Sequence, residues 1–269
     1  MNRIQQAEFD ILKVFTDVCG KLGIGYYLSS GSALGAIKYG GFIPWDEDVD
    51  VDLLREDYET FLREAPALLP DNLFLQTYKS DPMFPGIYAK LRNSDTTFIE
   101  SGAGHLKINH GIYIDIFPLD GYPKGRAAQK YLETKKLLYK AKNSAMYSGV
   151  STGSFGAAVK LYRLLYRNKG IARPAESFER LIKKYGCADS ELLCSHGNRM
   201  GRLDYIPKSI YGEGAFAEFE GLRVRVPEDF DSYLTRKYGD YRQDPPAEQC
   251  VSHHKFDKID TERPYTDYI

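Results

Sequence analysis

Cysteine is scarce in this chain, and none of the four (Cys19, Cys187, Cys194, Cys250) forms a C-x-x-C pair. Neither a zinc site nor a disulfide framework is therefore expected to organise the fold. No apolar run approaches the ~20 residues that span a bilayer. The first twenty residues carry Arg3, Glu8, Asp10, Lys13 and Asp17 where a signal peptide would have an apolar centre. An excess of charge of one sign is also missing. The 36 Lys and Arg balance 37 Asp and Glu, which argues against a general polyanion binder. Absent too are G-x-G-x-x-G, G-x-x-x-x-G-K-S/T and H-E-x-x-H, which disfavours dinucleotide dehydrogenases, P-loop NTPases and zincin proteases. The expectation is a soluble, cytoplasmic, globular protein.

What is present is ample chain and many aromatics. With 269 residues, 43% of them hydrophobic, the sequence can build a substantial core in one or two domains. Twenty-one Tyr and fourteen Phe suit a Tyr-rich core, or an aromatic-lined pocket for a sugar or a quaternary ammonium group. Helical spacing of Ile4, Ile11, Val14, Phe15, Val18 and Leu22 predicts an amphipathic helix ended by Gly23 and Gly25. A short strand at Tyr26–Leu28 leads into the small-residue stretch 29–36, which turns and opens a short helix. Strands are expected at 48–54, 73–77, 87–91, 96–99 and 111–117, and a helix at 57–69. Residues 126–147, 155–166 and 175–185 have helical periodicity. Lys135, Lys136, Lys140 and Lys142 read as a solvated helix face. Residues 222–226 alternate like a strand, 231–238 look helical, and the chain from Asp244 reads as an extended tail. The organisation predicted is α/β (α+β): a catalytic unit over 1–122, then a mainly helical region over 123–269 whose C-terminal strand and tail pack back on it.

The chemistry concentrates in Trp45-Asp46-Glu47-Asp48-Val49-Asp50-Val51-Asp52. On a strand, Asp46, Asp48, Asp50 and Asp52 project from one face, with Val49, Val51 and Leu53 behind them. Carboxylates roughly 6–7 Å apart repel by about 2.5 kcal/mol at an effective dielectric of ~20. No cation relieves this before Arg55. A divalent metal uses such an arrangement directly, since hard cations take carboxylate oxygens. A second alternating segment, Gly111 to Phe117, carries Asp115 opposite Ile112, Ile114 and Ile116. A lone carboxylate there is costly unless paired. If the two strands are neighbours, Asp115 joins the same site. Gly31-Ser32 upstream suits a phosphate held at a helix N-terminus. Lys90 and Arg92 alternate on a predicted strand, in reach of phosphate oxygens or of solvent.

A Gly-Ser turn and helix, an acidic strand and a third carboxylate on a later strand together resemble the nucleotidyltransferase superfamily. The wording of Tyr27–Ala36, Gly41–Val51 and Arg55–Tyr58 is similar to the LicD family, the phosphocholine transferases related to fukutin and fukutin-related protein. Lys90–Thr97 and Tyr113–Asp120 support the likeness. So do Phe219–Gly221, Val226-Pro227, Tyr233-Leu234, Tyr238–Tyr241, Pro245-Pro246 and His253-His254. The match is dense over about 24–120, sparse over 216–254 and absent between. Gly31-Ser32 stands where the family usually has Gly-Gly, and Glu47 where Asp is frequent.

The resemblance implies a nucleotidyltransferase-like mixed sheet with flanking helices and an Mg²⁺- or Mn²⁺-dependent transferase. The enzyme would move phosphocholine, or a related phospho-alcohol, from a CDP-linked donor to a sugar of a cell-surface glycan. Asp48, Asp50 and Asp115 would be catalytic, with Asp46 a further metal ligand. Gly31, Ser32, Lys38, Trp45, Lys90, Arg92, His253 and His254 would contact substrates. No nucleic acid partner is implied. Two other readings stand beside it: nucleotidyl transfer onto a sugar or small molecule, and a non-catalytic carbohydrate- or choline-binding module. For a choline headgroup, Tyr26, Tyr27, Tyr39, Trp45, Tyr88 and Tyr113 are the aromatics nearest the motifs.

Overall fold

The structure is a computed structural model that describes residues 1–147, 172–197, 201–252 and 255–269. It opens with helix α1 (Arg3–Leu22). The Asn2 side chain accepts from the Ile4 and Gln5 amides, and the Gln5 side chain accepts from the Asn2 amide, so the first-turn donors are satisfied. Gly23 ends the helix in the left-handed region, at φ +66°. Its apolar stripe buries Phe9, Leu12, Phe15 and Val18. Strand β1 (Tyr27–Leu28) and helix α2 (Ser30–Tyr39) follow. A Cβ on Gly35 would lie 2.3 Å from the Gly41 carbonyl oxygen, so only glycine allows the chain to fold back after α2 this tightly.

Next come β2 (Asp50–Leu54) and α3 (Arg55–Glu64), then β3 (Leu73–Gln76), β4 (Ala89–Asn93), β5 (Thr97–Glu100) and the long β6 (Ile112–Gly121). The main sheet runs β1-β2-β6-β4-β3. Its β2–β6 pair is parallel, whereas β1–β2, β4–β6 and β3–β4 are antiparallel. This mixed sheet with helices against it is the α+β class expected from the sequence.

Beyond residue 122 the described residues carry short strands as well as helices. Helices α4 (Arg126–Tyr147), α5 (Ala172–Ile182), α6 (Lys208–Tyr211) and α7 (Phe230–Tyr238) are present. So are strands β7 (Leu192–Cys194), β8 (Tyr205–Pro207), β9 (Ala215–Phe219), β10 (Leu222–Val226) and β11 (Phe256–Asp260). Three-residue strands such as β7 and β8 are too short to show a period. They exist because β7 extends the sheet from β6 and β8 pairs with β7. In the tail, β11 pairs with β5. The helix expected at 155–166 lies outside the described residues.

One apolar core joins the two regions. Phe15, Leu53, Phe61 and Ile114 from the first share it with Leu193, Ile206, Phe219 and Leu234 from the second. The later strands and α7 thus build a wall of the same body.

Candidate active site

The parallel register of β2 and β6 sets Asp50 beside Asp115, on strands about 4.8 Å apart. The antiparallel register of β4 sets Lys90 on the other side of Asp115. Asp46 and Asp48 reach the same place from the irregular segment before β2. The expected single strand carrying four same-face carboxylates is therefore corrected, because pairing starts only at Asp50. The Asp115 amide donates to the Val49 carbonyl at 2.9 Å, and there the ladder ends. Asp52 shares a strand face with Asp50 but is sealed from the cavity. Tyr211 donates to its carboxylate at 3.2 Å, and burial lifts its pKa to about 6 against the opposing pull of Lys237, Tyr211 and Ser29.

Helix α2 begins against these acids. A Cβ on Gly31 would meet Asp46 Oδ2 at 3.1 Å and Asp48 Oδ1 at 4.0 Å, so the absent side chain lets the first turn of α2 approach the acidic segment. Ser30 holds a left-handed φ of +49°, unusual for a side chain with a Cβ. Helix α7 fixes it there. The Ser30 amide donates to Tyr233 Oη at 3.0 Å, and Lys237 donates to Ser30 Oγ at 3.2 Å. Strained backbone of this kind gathers at functional sites. Ser32 braces the acidic segment. Its buried hydroxyl oxygen accepts from the Asp50 amide at 2.8 Å.

A cavity of about 860 Å³ opens onto Asp46, Asp48 and Asp50. Ser30, Gly31, Lys38, Tyr39 and Trp45 form one side, and Tyr238, Tyr241 and the segment 243–251 form the other. Lys38 pins that second side, lying 2.6 Å from Asp244 and 3.1 Å from the Tyr241 carbonyl. Tyr39 donates to the same Asp244, and its ring meets Trp45 edge-on at 6.1 Å. Of the six aromatics singled out for choline, Tyr39 and Trp45 line the cavity. Tyr27, Tyr88 and Tyr113 instead pack in the interior or bond to other elements, Tyr27 donating to the Gly212 carbonyl. Tyr26 packs edge-on against Phe15.

Lys90 and Arg92 do not extend toward solvent. Lys90 Nζ sits 3.3 Å from Asp115, 3.6 Å from Glu100 and 3.2 Å from the Tyr113 ring centre. Arg92 is wholly buried, donating to Gln76, the Gly111 carbonyl and Glu100. The expected phosphate contact from Arg92 is thus corrected: a guanidinium with no exposed surface and three acceptors inside the fold does not reach the cavity. Burial raises the Glu100 carboxyl, but Lys90 and Arg92 overcome this and hold it down at about 2. His253 and His254 lie outside the described residues.

Sequence reading missed two contributors. Helix α1 delivers Glu8, buried and with its Oε2 lacking a hydrogen-bond partner, toward the same acids. Burial, followed by the charges of Asp48, Asp46, Glu47 and Asp115, pushes its carboxyl well above the ordinary range. One turn earlier, Gln5 donates to the Asp46 carbonyl at 2.9 Å, which locks α1 to the acidic segment. An acid on the buried stripe of an amphipathic helix was the available signal. The second contributor is the Tyr238–Val251 wall, for which the sequence offered only motif likeness.

The charge balance of the site suits a cation. Burial, then the carboxylates of Asp48, Asp115 and Asp52, drives the Asp50 carboxyl well above its usual range, with Lys237 opposing. Burial also raises Asp115, although Lys90 pulls it down. Among the described residues no three acid, imidazole or thiol side chains already converge at ligating separation. The acids are not preassembled, and carboxylate oxygens are the donor type that Mg²⁺ or Mn²⁺ prefers.

Part of the sequence that builds this site is similar to known proteins. Residues 23–144 match the family model described as LicD/FKTN/FKRP, nucleotidyltransferase domain. The lipopolysaccharide cholinephosphotransferase LicD of Haemophilus influenzae is 25% identical over 91% of this chain and 92% of its own length. A 35-residue stretch is 51% identical to the human ribitol 5-phosphate transferase FKRP, covering 13% of this chain and 7% of that protein. The matched segment holds α2, the acidic segment, β2, β4 and β6, and so Asp46, Asp48, Asp50, Lys90 and Asp115. Over residues 23–144 the chain is thus similar to the LicD/FKTN/FKRP nucleotidyltransferase family.

Proposed function

We propose that this protein is a divalent-metal-dependent transferase that moves phosphocholine, or a related phospho-alcohol, from a CDP-linked donor to a sugar hydroxyl of a glycan. The observation that carries the reading is the convergence of Asp46, Asp48 and Asp50 with the glycine-opened start of α2 on one aromatic-walled cavity, with Asp115 in register beside Asp50. Both relatives named above are, by their names, transferases of a phosphorylated alcohol.

Asp46, Asp48, Asp50 and Asp115 would hold Mg²⁺ or Mn²⁺. Such a cation, when bound, supplies Lewis-acid neutralisation of the donor's diphosphate. The chain's own residues supply the rest. Gly31 leaves the α2 backbone open to a phosphate at the positive end of the helix. The reaction joins the sugar oxygen to the phosphorus that bears the alcohol and breaks that phosphorus's bond to CMP. The hydroxyl proton passes to a carboxylate of the site, for which Asp115 is suited because Lys90 holds it in place. Tyr39 and Trp45 present ring faces or edges to a headgroup, and each ring over a quaternary ammonium contributes about 0.5–2 kcal/mol.

The test is incubation with a panel of CDP-alcohols, Mg²⁺ and glycan fragments, followed by CMP release. Release that depends on both metal and acceptor supports the reading. Pyrophosphate released from an NTP instead would assign nucleotidyl transfer. No turnover with any donor, together with no Mn²⁺ binding by calorimetry, would leave a binding module. Replacing Tyr39 and Trp45 by Leu should weaken CDP-choline binding far more than CMP binding. Equal losses for both ligands would remove the support for choline.

A further inference from the structure

The pair α4–α5 carries a surface that the transferase site does not use. In the sequence, residues 134–175 contain nine Lys or Arg and no Asp or Glu, although the whole chain has a net charge of −1. Along α4 the described side chains divide by face. Leu132, Lys136 and Tyr139 turn into the body of the protein and are buried. Outward, α4 leaves Leu137 69%, Leu138 49% and Tyr131 52% exposed. These are large apolar side chains on one helix, where a solvated face would carry polar ones.

Cations flank them. A groove of about 250 Å³ between α4 and α5 is lined by Lys135, Lys142, Arg180 and Lys184 together with Tyr131 and Leu138, and by no acid. Lys135 lies over the Tyr131 ring at 5.3 Å. Of the acids of these helices, Glu176 is exposed on α5 but does not line the groove, whereas Glu133 and Glu179 are held by other elements. Glu133 accepts from Tyr205, and Glu179 accepts from Tyr78 and Arg55. Exposed aliphatic side chains between cations that have no ion pair among the described residues form the amphipathic pattern of an element lying in a headgroup layer.

We infer that the α4–α5 face docks this protein peripherally on a bilayer containing anionic phospholipids. Leu137, Leu138 and Tyr131 would enter the acyl boundary, and Lys135, Lys142, Arg180 and Lys184 would meet the lipid phosphates. No described helix is long and apolar enough to cross a membrane, so the attachment is to its surface. An RNA partner fits less well, because adjacent aliphatic leucines gain nothing from phosphates or stacked bases, whereas they gain from hydrocarbon. The surface shares no lining residue with the acidic cavity, so the inference does not depend on the assigned reaction.

The experiment is co-sedimentation of the full chain with phosphatidylcholine vesicles and with vesicles containing one-third phosphatidylglycerol, across a salt series. Binding to the anionic vesicles alone, weakening with salt, is expected. The Leu137→Ser/Leu138→Ser double variant should bind about tenfold more weakly with an unchanged melting temperature, as should Lys135→Glu/Lys142→Glu. All four positions are exposed, so folding is not at risk, and circular dichroism checks it. Equal binding of wild type to both vesicle types, no binding to either, or unchanged binding by both variants would overturn the inference. So would a single-stranded RNA that binds more tightly than the anionic vesicles and loses affinity in the same lysine variant.

Discussion

Arg55 offers the sharpest test of how the fold positions the site. Asp50 and Asp115 are partners in the β2–β6 register. Arg55 and Asp120 each lie five residues further along the same two segments and close them with a two-pronged ion pair. Nε donates to Asp120 Oδ1 at 2.8 Å and Nη2 to Oδ2 at 2.6 Å, with side-chain exposures of only 10% and 1%. A third prong reaches Glu179 at 3.3 Å. Arg55→Met removes the cation and leaves Asp120 buried. Burial already lifts the Asp120 carboxyl above its usual range despite Arg55, so without it the group must stay neutral or be solvated by distortion. Losing one partner of such a pair costs about 3–5 kcal/mol. At about 2–4 °C per kcal/mol for a chain of this size, the melting temperature should fall by roughly 6–20 °C. Glu179 keeps Tyr78 at 2.6 Å and Lys183 at 3.5 Å, so the loss should be confined to the Asp120 end. Adding Asp120→Leu removes the stranded acid and should recover most of the loss. Scanning calorimetry on the two variants decides it. An Arg55→Met protein within about 1 kcal/mol of wild type, or a double variant no better than the single one, would refute the clasp.

Asp50→Asn should lower turnover roughly 10²–10³-fold while leaving the metal-free melting temperature unchanged or higher, because like-charge repulsion is relieved. Near-normal turnover would remove Asp50 from the site. Glu8→Gln should stabilise the protein, increasingly so as pH rises. The folded carboxyl titrates above its unfolded value of about 4.3, so the wild type carries a growing cost above that pH that the amide lacks. Melting curves that run parallel from pH 4 to 8 would contradict this. Glu100 behaves in the opposite sense. Its folded pKa of about 2 lies below the model-peptide value, so its stabilisation is present above about pH 4.5 and lost as pH falls toward 2. Glu100→Gln should therefore lower stability at neutral pH and flatten the acid-unfolding profile in that window. An unchanged profile would show that Lys90 and Arg92 do not depend on Glu100.

Local pattern was enough for the acidic segment, the Gly31 turn, Asp115 on an apolar strand and most elements of the first 122 residues. Each rests on a short-range rule: period two for strands, 3.6 for helices, glycine where backbone must approach closely. The same rules overextended the acidic strand, because alternation cannot tell where a ladder partner stops. The Asp115 amide bond to Val49 marks that limit. They also failed for β7 and β8, which are three-residue strands made by pairing and not by composition. Only the tertiary structure decided which alternating cations are buried. Lys90 and Arg92 look alike in sequence, yet one meets Asp115 and the other is sealed beneath Tyr113. It alone brought Glu8 from α1 and the 238–251 wall to the cavity, across separations of about 40 residues and nearly 200 residues from Asp48. Short-range chemistry is written in the sequence, whereas the charge that a residue feels depends on neighbours that only packing supplies.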